Sequence, residues 1–293
     1  MITAPSKSSD RLASFWRVSV QRIRAKGSSM TVLIACSFVT VIAFTVASAQ
    51  TDVPGTSDRD VITDLVYANR ILADQNVVDA FGHVSVREPG HSDRFLLSRS
   101  VAPALVTASD ILEYDSQGEP TKTGGPKDYL ERFIHAAIYR ARPDVIAVVH
   151  SHSAAIIPFG VTGTLLRPVY QMSAFLGGGV PIFDIRKAAG ETDMLISNNK
   201  LGDALAKALG DKPVVLMRGH GSVAVGNSIQ QAVFRAIYTE INGRIQMDAM
   251  RLGSVTFLSP EESEKAAKVA DGQITRSWDL WKRRITIDAI PSH

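Results

Sequence analysis

His150-Ser151-His152 closes the apolar run Val145-Ile146-Ala147-Val148-Val149, and in a strand residues i and i+2 leave the same face. Two imidazoles therefore project together from the end of a buried strand. A third histidine stands in Arg218-Gly219-His220-Gly221, behind a second apolar run, Val214-Val215-Leu216-Met217, where the flanking glycines let the backbone turn sharply around it. Three neutral imidazoles with an open fourth position describe a catalytic zinc-type site. The alternative is a set of satisfied core histidines, but polar residues at successive same-face positions of an apolar strand need partners to offset their desolvation. Ligand type favours Zn2+, with Mn2+ or another divalent ion open. Glu131 and His135 lie four apart on a predicted helix just upstream, so they share a helical face. Glu131 can then point at the metal region, where a partly desolvated carboxylate beside a dication is suited to moving protons. For an isolated helical glutamate the competing reading is an ion pair with Arg132 or Arg140. His135 reads as structural.

The elements that must position these groups follow from periodicity. Asp58 to Ala73 reads as an amphipathic helix, Phe81 to Arg87 alternates as a strand, and Arg94 to Ser98 returns antiparallel to it after the turn cluster Glu88-Pro89-Gly90-His91-Ser92-Asp93. Ile111 to Tyr114 predicts a further short strand closed by Asp115-Ser116-Gln117-Gly118. Lys127 to Ala141 reads as a helix bounded by Pro126 and Pro143, Val145 to His152 as the histidine strand, and Thr192 to Leu209 as largely helical. Val214 to Met217 and Ser222 to Val225 are strands around His220. Ser228-Ile229-Gln230-Gln231 reads as a capping box opening a helix to about Leu252, with Val233, Ile237, Ile241 and Ile245 at i, i+4 spacing. Ser259-Pro260-Glu261-Glu262 starts a last helix carrying Trp278 and Trp281. Helices interspersed with short, hairpin-like strands predict a sheet with helices on both faces.

Residues 1–49 belong to targeting. Lys7, Arg11, Arg17, Arg22, Arg24 and Lys26 precede the apolar stretch Thr31 to Val46, which ends in the small-x-small pattern Ala47-Ser48-Ala49. Cleavage after Ala49 leaves a chain starting at Gln50, exported to the periplasm or secreted. An uncleaved leader is long enough to anchor the chain in a membrane. Leu33-Ile34-Ala35-Cys36 also has the look of a lipoprotein box, although the apolar run continues past Cys36; Met30 is an alternative start of translation. The net charge is +3, of which the leader carries +5, so the remainder is −2 and its balance gives no reason to expect nucleic acid. The single cysteine, Cys36, leaves with the leader, which excludes disulfides and thiol chemistry from the exported part. After a short lead-in at 50–57, the chain predicts one catalytic domain at 58–255 and a C-terminal helical extension at 256–293.

The segment from Glu131 to Asp144, then Ala147-Val148-Val149-His150-Ser151-His152, then Met217-Arg218-Gly219-His220-Gly221, resembles the class II aldolase/adducin family over roughly Asp58 to Leu252. The resemblance implies a three-layer α/β/α sandwich around a largely antiparallel sheet, and a homotetramer with active sites where subunits meet. It puts the family's metal ligands on His150, His152 and His220 and its catalytic acid/base on Glu131. Sugar-phosphate aldolases of the family hold phosphate with a Gly-Asn-x-Ser turn, a Thr-Pro-Ser-Gly turn and a serine pair before the catalytic glutamate. Here these positions read Gly82-His83-Val84-Ser85, Ser98-Arg99-Ser100-Val101 and Tyr129-Leu130. A cradle of small hydroxyls is thus replaced by bulkier groups, with Arg99 available to an anion. The pattern looks more like the decarboxylase-type branch acting on hydroxylated aromatic carboxylates, with Arg99, Ser98, His83 and Ser85 as candidate substrate-binding residues.

The function this predicts is a divalent-metal-dependent carbon–carbon lyase, by aldol cleavage or decarboxylation, acting on a small unphosphorylated substrate. Epimerase or dehydratase chemistry on the same scaffold is one alternative. A non-catalytic, adducin-like binding module is another, opposed by the presence of all three histidines together with Glu131.

Overall fold

The computed structural model describes residues 58–285; the expected leader, the lead-in at 50–57 and the end of the C-terminal extension lie outside them. Helix α1 (Asp58–Asp74) leads into three antiparallel strands, β1 (His83–Arg87), β2 (Arg94–Ser98) and β3 (Ile111–Asp115), followed by α2 (Arg132–Ala141) and β4 (Ala147–Ser151). The short α3 (Ile157–Val161), β5 (Ile182–Phe183), the short α4 (Arg186–Ala189), α5 (Asn199–Leu209), β6 (Val214–Met217) and β7 (Gly221–Gly226) come next. The long α6 (Ile229–Leu252), α7 (Pro260–Asp271) and α8 (Ile274–Arg284) complete the described chain. The seven strands form one sheet in the order β3-β2-β1-β4-β7-β6-β5. Every pairing is antiparallel except β5 with β6 at the edge.

Alternation along the strands divides the core in two. Val84, Val86, Ala147, Val149 and Leu216 pack with side chains of α1, α6 and α8. Phe95, Leu97, Val148, Val215 and Val223 pack with side chains of α2 and α5 on the other face. The sandwich expected from the sequence is therefore present: helices, mostly antiparallel sheet, helices. Ile134 and Ile138 of α2 are fully buried, each contributing about 1.5–3 kcal/mol through apolar area removed from water. Trp278 and Trp281 of α8 are buried in the first of these layers, and Lys282 Nζ reaches Asp64 Oδ1 of α1 at 3.2 Å.

Several boundaries depart from the periodicity, each for a tertiary reason. The strand expected from Phe81 begins only at His83, because the Asp79 carboxylate accepts the Phe81 amide at 2.8 Å and Gly82 turns the chain at φ +93°. Helix α2 starts at Arg132 rather than Lys127: the Tyr114 hydroxyl donates to Asp128 and the Tyr129 hydroxyl to the Val101 carbonyl, which hold 128–129 off a helical path. Glu131 therefore stands at the helix N-cap, with φ −94° and ψ 18°, instead of within a turn shared with His135. Residues 192–198 are irregular, with local side-chain turns at Thr192 and Asp193, and α5 begins at Asn199 behind an Asn198 cap. The single C-terminal helix is two, ended and restarted at Gly272-Gln273. Ser228 caps α6 through the Gln231 amide, but the Gln231 side chain accepts from Asn227, so the box is not reciprocal; the Ser259–Glu262 box is.

Candidate metal centre

Strand β4 occupies the middle of the sheet, and His150 is paired directly with His83 of β1 and Val223 of β7. It is fully buried on the α2 side, while His152, just beyond the strand end, is half-buried. The third histidine arrives on the β6–β7 turn. There the His220 amide donates to the Met217 carbonyl at 3.0 Å and Gly219 adopts φ +65°, a left-handed conformation that favours glycine. A Cβ on Gly221 would stand 1.9 Å from the Ser151 carbonyl oxygen, so only hydrogen there lets β7 lie against β4 and bring His220 to His152. Asp184 anchors the turn through Arg218, Nε to Oδ1 at 2.9 Å.

Nε2 of His152 lies 3.1 Å from Nε2 of His150 and 3.0 Å from Nε2 of His220. Glu131 Oε2 is 3.4 Å from Nε2 of both His150 and His220, while its Oε1 accepts the Ile196 amide at 3.0 Å. The donor set fits a cation. His150 Nδ1 sits 3.0 Å from the Ser222 carbonyl oxygen, which can only accept, so in the neutral ring Nδ1 carries the proton and the Nε2 lone pair faces inward. A proton on His152 Nε2 can serve only one of its two neighbours. Three nitrogens at about 2.0–2.1 Å from one ion would stand about 2.9–3.4 Å apart, and the two separations made by His152 fall in that range. Burial, then repulsion from His150 and His220, pushes the His152 imidazole down to about 4, so it is neutral at physiological pH. Burial would raise Glu131, but His150 and His220 outweigh it and hold the carboxyl well below the ordinary range. The pocket thus presents three imidazole nitrogens, that of His152 neutral, and one carboxylate.

A buried polar chain backs the cluster. His83 Nδ1 meets His135 Nε2 at 2.7 Å, His135 Nδ1 meets Ser85 Oγ at 2.6 Å, and Ser85 Oγ meets the Tyr139 hydroxyl at 2.7 Å. Burial, followed by repulsion from His150, lowers His135 to about 3, and burial likewise holds His83 well below its ordinary value. His135, expected to be structural, joins His83 to Ser85 within this chain of four polar residues.

The expected substrate-binding residues are only partly brought to the cluster. His83 borders it, its ring centroid 5.1 Å from that of His150. Ser85 does not: it is fully buried with its hydroxyl committed to His135 and Tyr139, so the substrate role expected for it is corrected to support of His135. Ser98 is likewise fully buried. Arg99 is not brought into the cluster's hydrogen bonds: its Nε is bound to Asp110 Oδ1 at 2.6 Å, with the side chain 38% exposed. Two contributors escaped sequence reasoning. The Ile196 amide sits 65 residues from the carboxylate it holds and carries no sequence signal. Tyr129, whose ring lies 4.5 Å from that of His83, was visible as a replaced serine next to Glu131.

Residues 63–247 match the class II aldolase and adducin N-terminal domain. The decarboxylase tropJ of Talaromyces stipitatus is 41% identical over 239 residues, 73% of this chain and 90% of that protein. The 3,4-dihydroxyphthalate decarboxylase of a Terrabacter species is 30% identical over 220 residues, 70% of this chain and 87% of that one. Among solved structures, an aldolase II superfamily protein from Pseudomonas syringae superposes with a TM-score of 0.66 at 26% identity, covering 79% of this chain and 93% of its own. The chain belongs to the class II aldolase/adducin family, with decarboxylases among its relatives.

Proposed function

We propose that the protein is a divalent-metal-dependent lyase that decarboxylates a hydroxylated aromatic carboxylate bearing no phosphate. The convergence of His150, His152 and His220 Nε2 with Glu131 Oε2 carries this reading. The three histidines would hold the ion, with zinc favoured by ligand type and manganese the second candidate. When bound, such an ion supplies Lewis-acid polarisation of a substrate oxygen next to the breaking bond. Decarboxylation is favoured over aldol cleavage by the two decarboxylase relatives, and loss of the small-hydroxyl cradle at 82–85, 98–101 and 129–130 argues against phosphate.

Decarboxylation releases CO2 and requires one proton on the ring carbon it leaves. Glu131 is placed to handle that proton: the Ile196 amide fixes Oε1 and leaves Oε2 turned toward the cluster. It accepts the proton of a substrate hydroxyl and returns it to the vacated carbon, after which solvent supplies one proton per turnover. The neutral His83–His135–Ser85–Tyr139 chain keeps the wall behind His150 free of competing charge. Export after Ala49 and assembly into a tetramer complete the proposal.

The test is CO2 release from 3,4-dihydroxyphthalate and a set of dihydroxybenzoates, against cleavage of unphosphorylated aldols, with the protein stripped of metal and then reloaded. Release of CO2 that disappears on stripping and returns with zinc or manganese is expected. Turnover confined to aldols, or undiminished by stripping, would overturn the reading.

A further inference from the structure

Phe81 is 65% exposed, and it is the only exposed aromatic side chain among the described residues. It stands beside the cluster, its ring centroid 6.2 Å from that of His152. Its backbone is not free to carry the ring elsewhere. The Phe81 amide donates to Asp79 Oδ1 at 2.8 Å, and the Asp79 amide donates to the Phe81 carbonyl at 3.3 Å. Next to it Gly82 is locked at φ +93°, where an added Cβ would strike Val78 at 2.6 Å. The fixed turn therefore holds a mostly solvated phenyl ring in one place beside the histidines, where its face is open to a ligand.

Two further exposed apolar side chains flank cluster residues. Leu130 precedes Glu131, and Val161 lies 3.7 Å from where a Cβ on Gly219 would stand, one residue before His220. Of these, Phe81 is the one whose ring stands against a cluster member, His152. An apolar face beside a polar, metal-competent cluster fits a substrate whose oxygens reach the histidines and whose body is apolar. Of the three, only Phe81 offers a flat π face, and aromatic rings gain from pairing beyond the area they bury.

We propose that Phe81 is a specificity-determining residue, a platform against which the aromatic ring of the substrate packs while its oxygens reach the histidine cluster. The proposal rests on the aromatic-carboxylate reading above and deepens it. Saturated hydroxy acids of similar polarity gain nothing from the platform, so selectivity for planar substrates resides in this side chain and not in the ligand set.

The experiment is calorimetric titration of the zinc-loaded protein and of Phe81→Ala and Phe81→Trp with two probes, 2,3-dihydroxybenzoate and tartrate. Phe81→Ala is expected to weaken dihydroxybenzoate roughly two- to tenfold, Phe81→Trp to retain it, and tartrate to bind all three proteins alike. Equal losses for both probes, or no loss for dihydroxybenzoate, would overturn the platform while leaving the lyase reading standing. Wild-type protein that binds tartrate but not dihydroxybenzoate would overturn both. A change of molecular mass by light scattering in Phe81→Ala would assign the ring to a contact between copies of the chain and also defeat the proposal.

Discussion

If the three histidines are the ligand set, His150→Ala, His152→Ala and His220→Ala should each lose bound metal while keeping a native circular dichroism spectrum. Elemental analysis decides it: full occupancy in any one variant removes that histidine from the ligand set. Glu131→Gln should retain metal and lose about 10²–10⁴-fold in turnover, because the amide keeps the shape and the Ile196 contact but cannot take up a proton. Wild-type turnover in that variant would place proton transfer elsewhere. The convergence of the three histidines was legible from sequence because strand alternation fixes the relation of His150 to His152, and glycines on either side of His220 mark a tight turn. The support for them was not. Ser85 and Arg99 look like ligand-binding groups by their motif position, yet their partners, His135 and Asp110, are chosen by packing and lie 50 and 11 residues away.

Helix α2 shows the same division at the scale of an element. Its apolar face is plain in the sequence, but its first turn is surrendered because Asp128 and Tyr129 bond outside the helix. Residues 192–198 fail to be helical in a segment where the Ile196 amide serves Glu131 and so is unavailable to a helical carbonyl. What α2 contributes instead is His135, the centre of the buried chain between β1 and the helix. With a folded value of about 3 against an ordinary 6.5, His135 stays neutral in the native protein while the unfolded chain protonates it. Stability from this group is thus complete above pH 6.5 and is lost as pH falls toward 3, by about 2 kcal/mol between 6.5 and 5. Urea unfolding at pH 7.5 and 5.0 should show that drop, and His135→Gln, though less stable at both, should show a smaller one. An unchanged difference in the variant would assign the acid sensitivity to other groups.

For the whole molecule, the layer architecture was readable because helical and strand periods alternate and each strand has one face for each helical layer. The strand order was not, since no local pattern tells β4 to sit between β1 and β7. The mature protein is expected to begin at Gln50 by N-terminal sequencing and to run as a tetramer by light scattering; an intact leader, or a monomer, would correct those two expectations. The strand order also governs how the protein comes to exist. His150 pairs with residues 67 positions upstream and 73 downstream, and closing such long loops is slow compared with forming helices. No fragment of the nascent chain holds the three imidazoles together, so an ion has nothing to grip until the central strands have docked. Refolding rates should therefore be the same with chelator as with zinc, while the thermal midpoint rises with zinc by mass action. On the proposed reading, folding would precede metallation, and the folded protein would be the species on which the choice of metal is made.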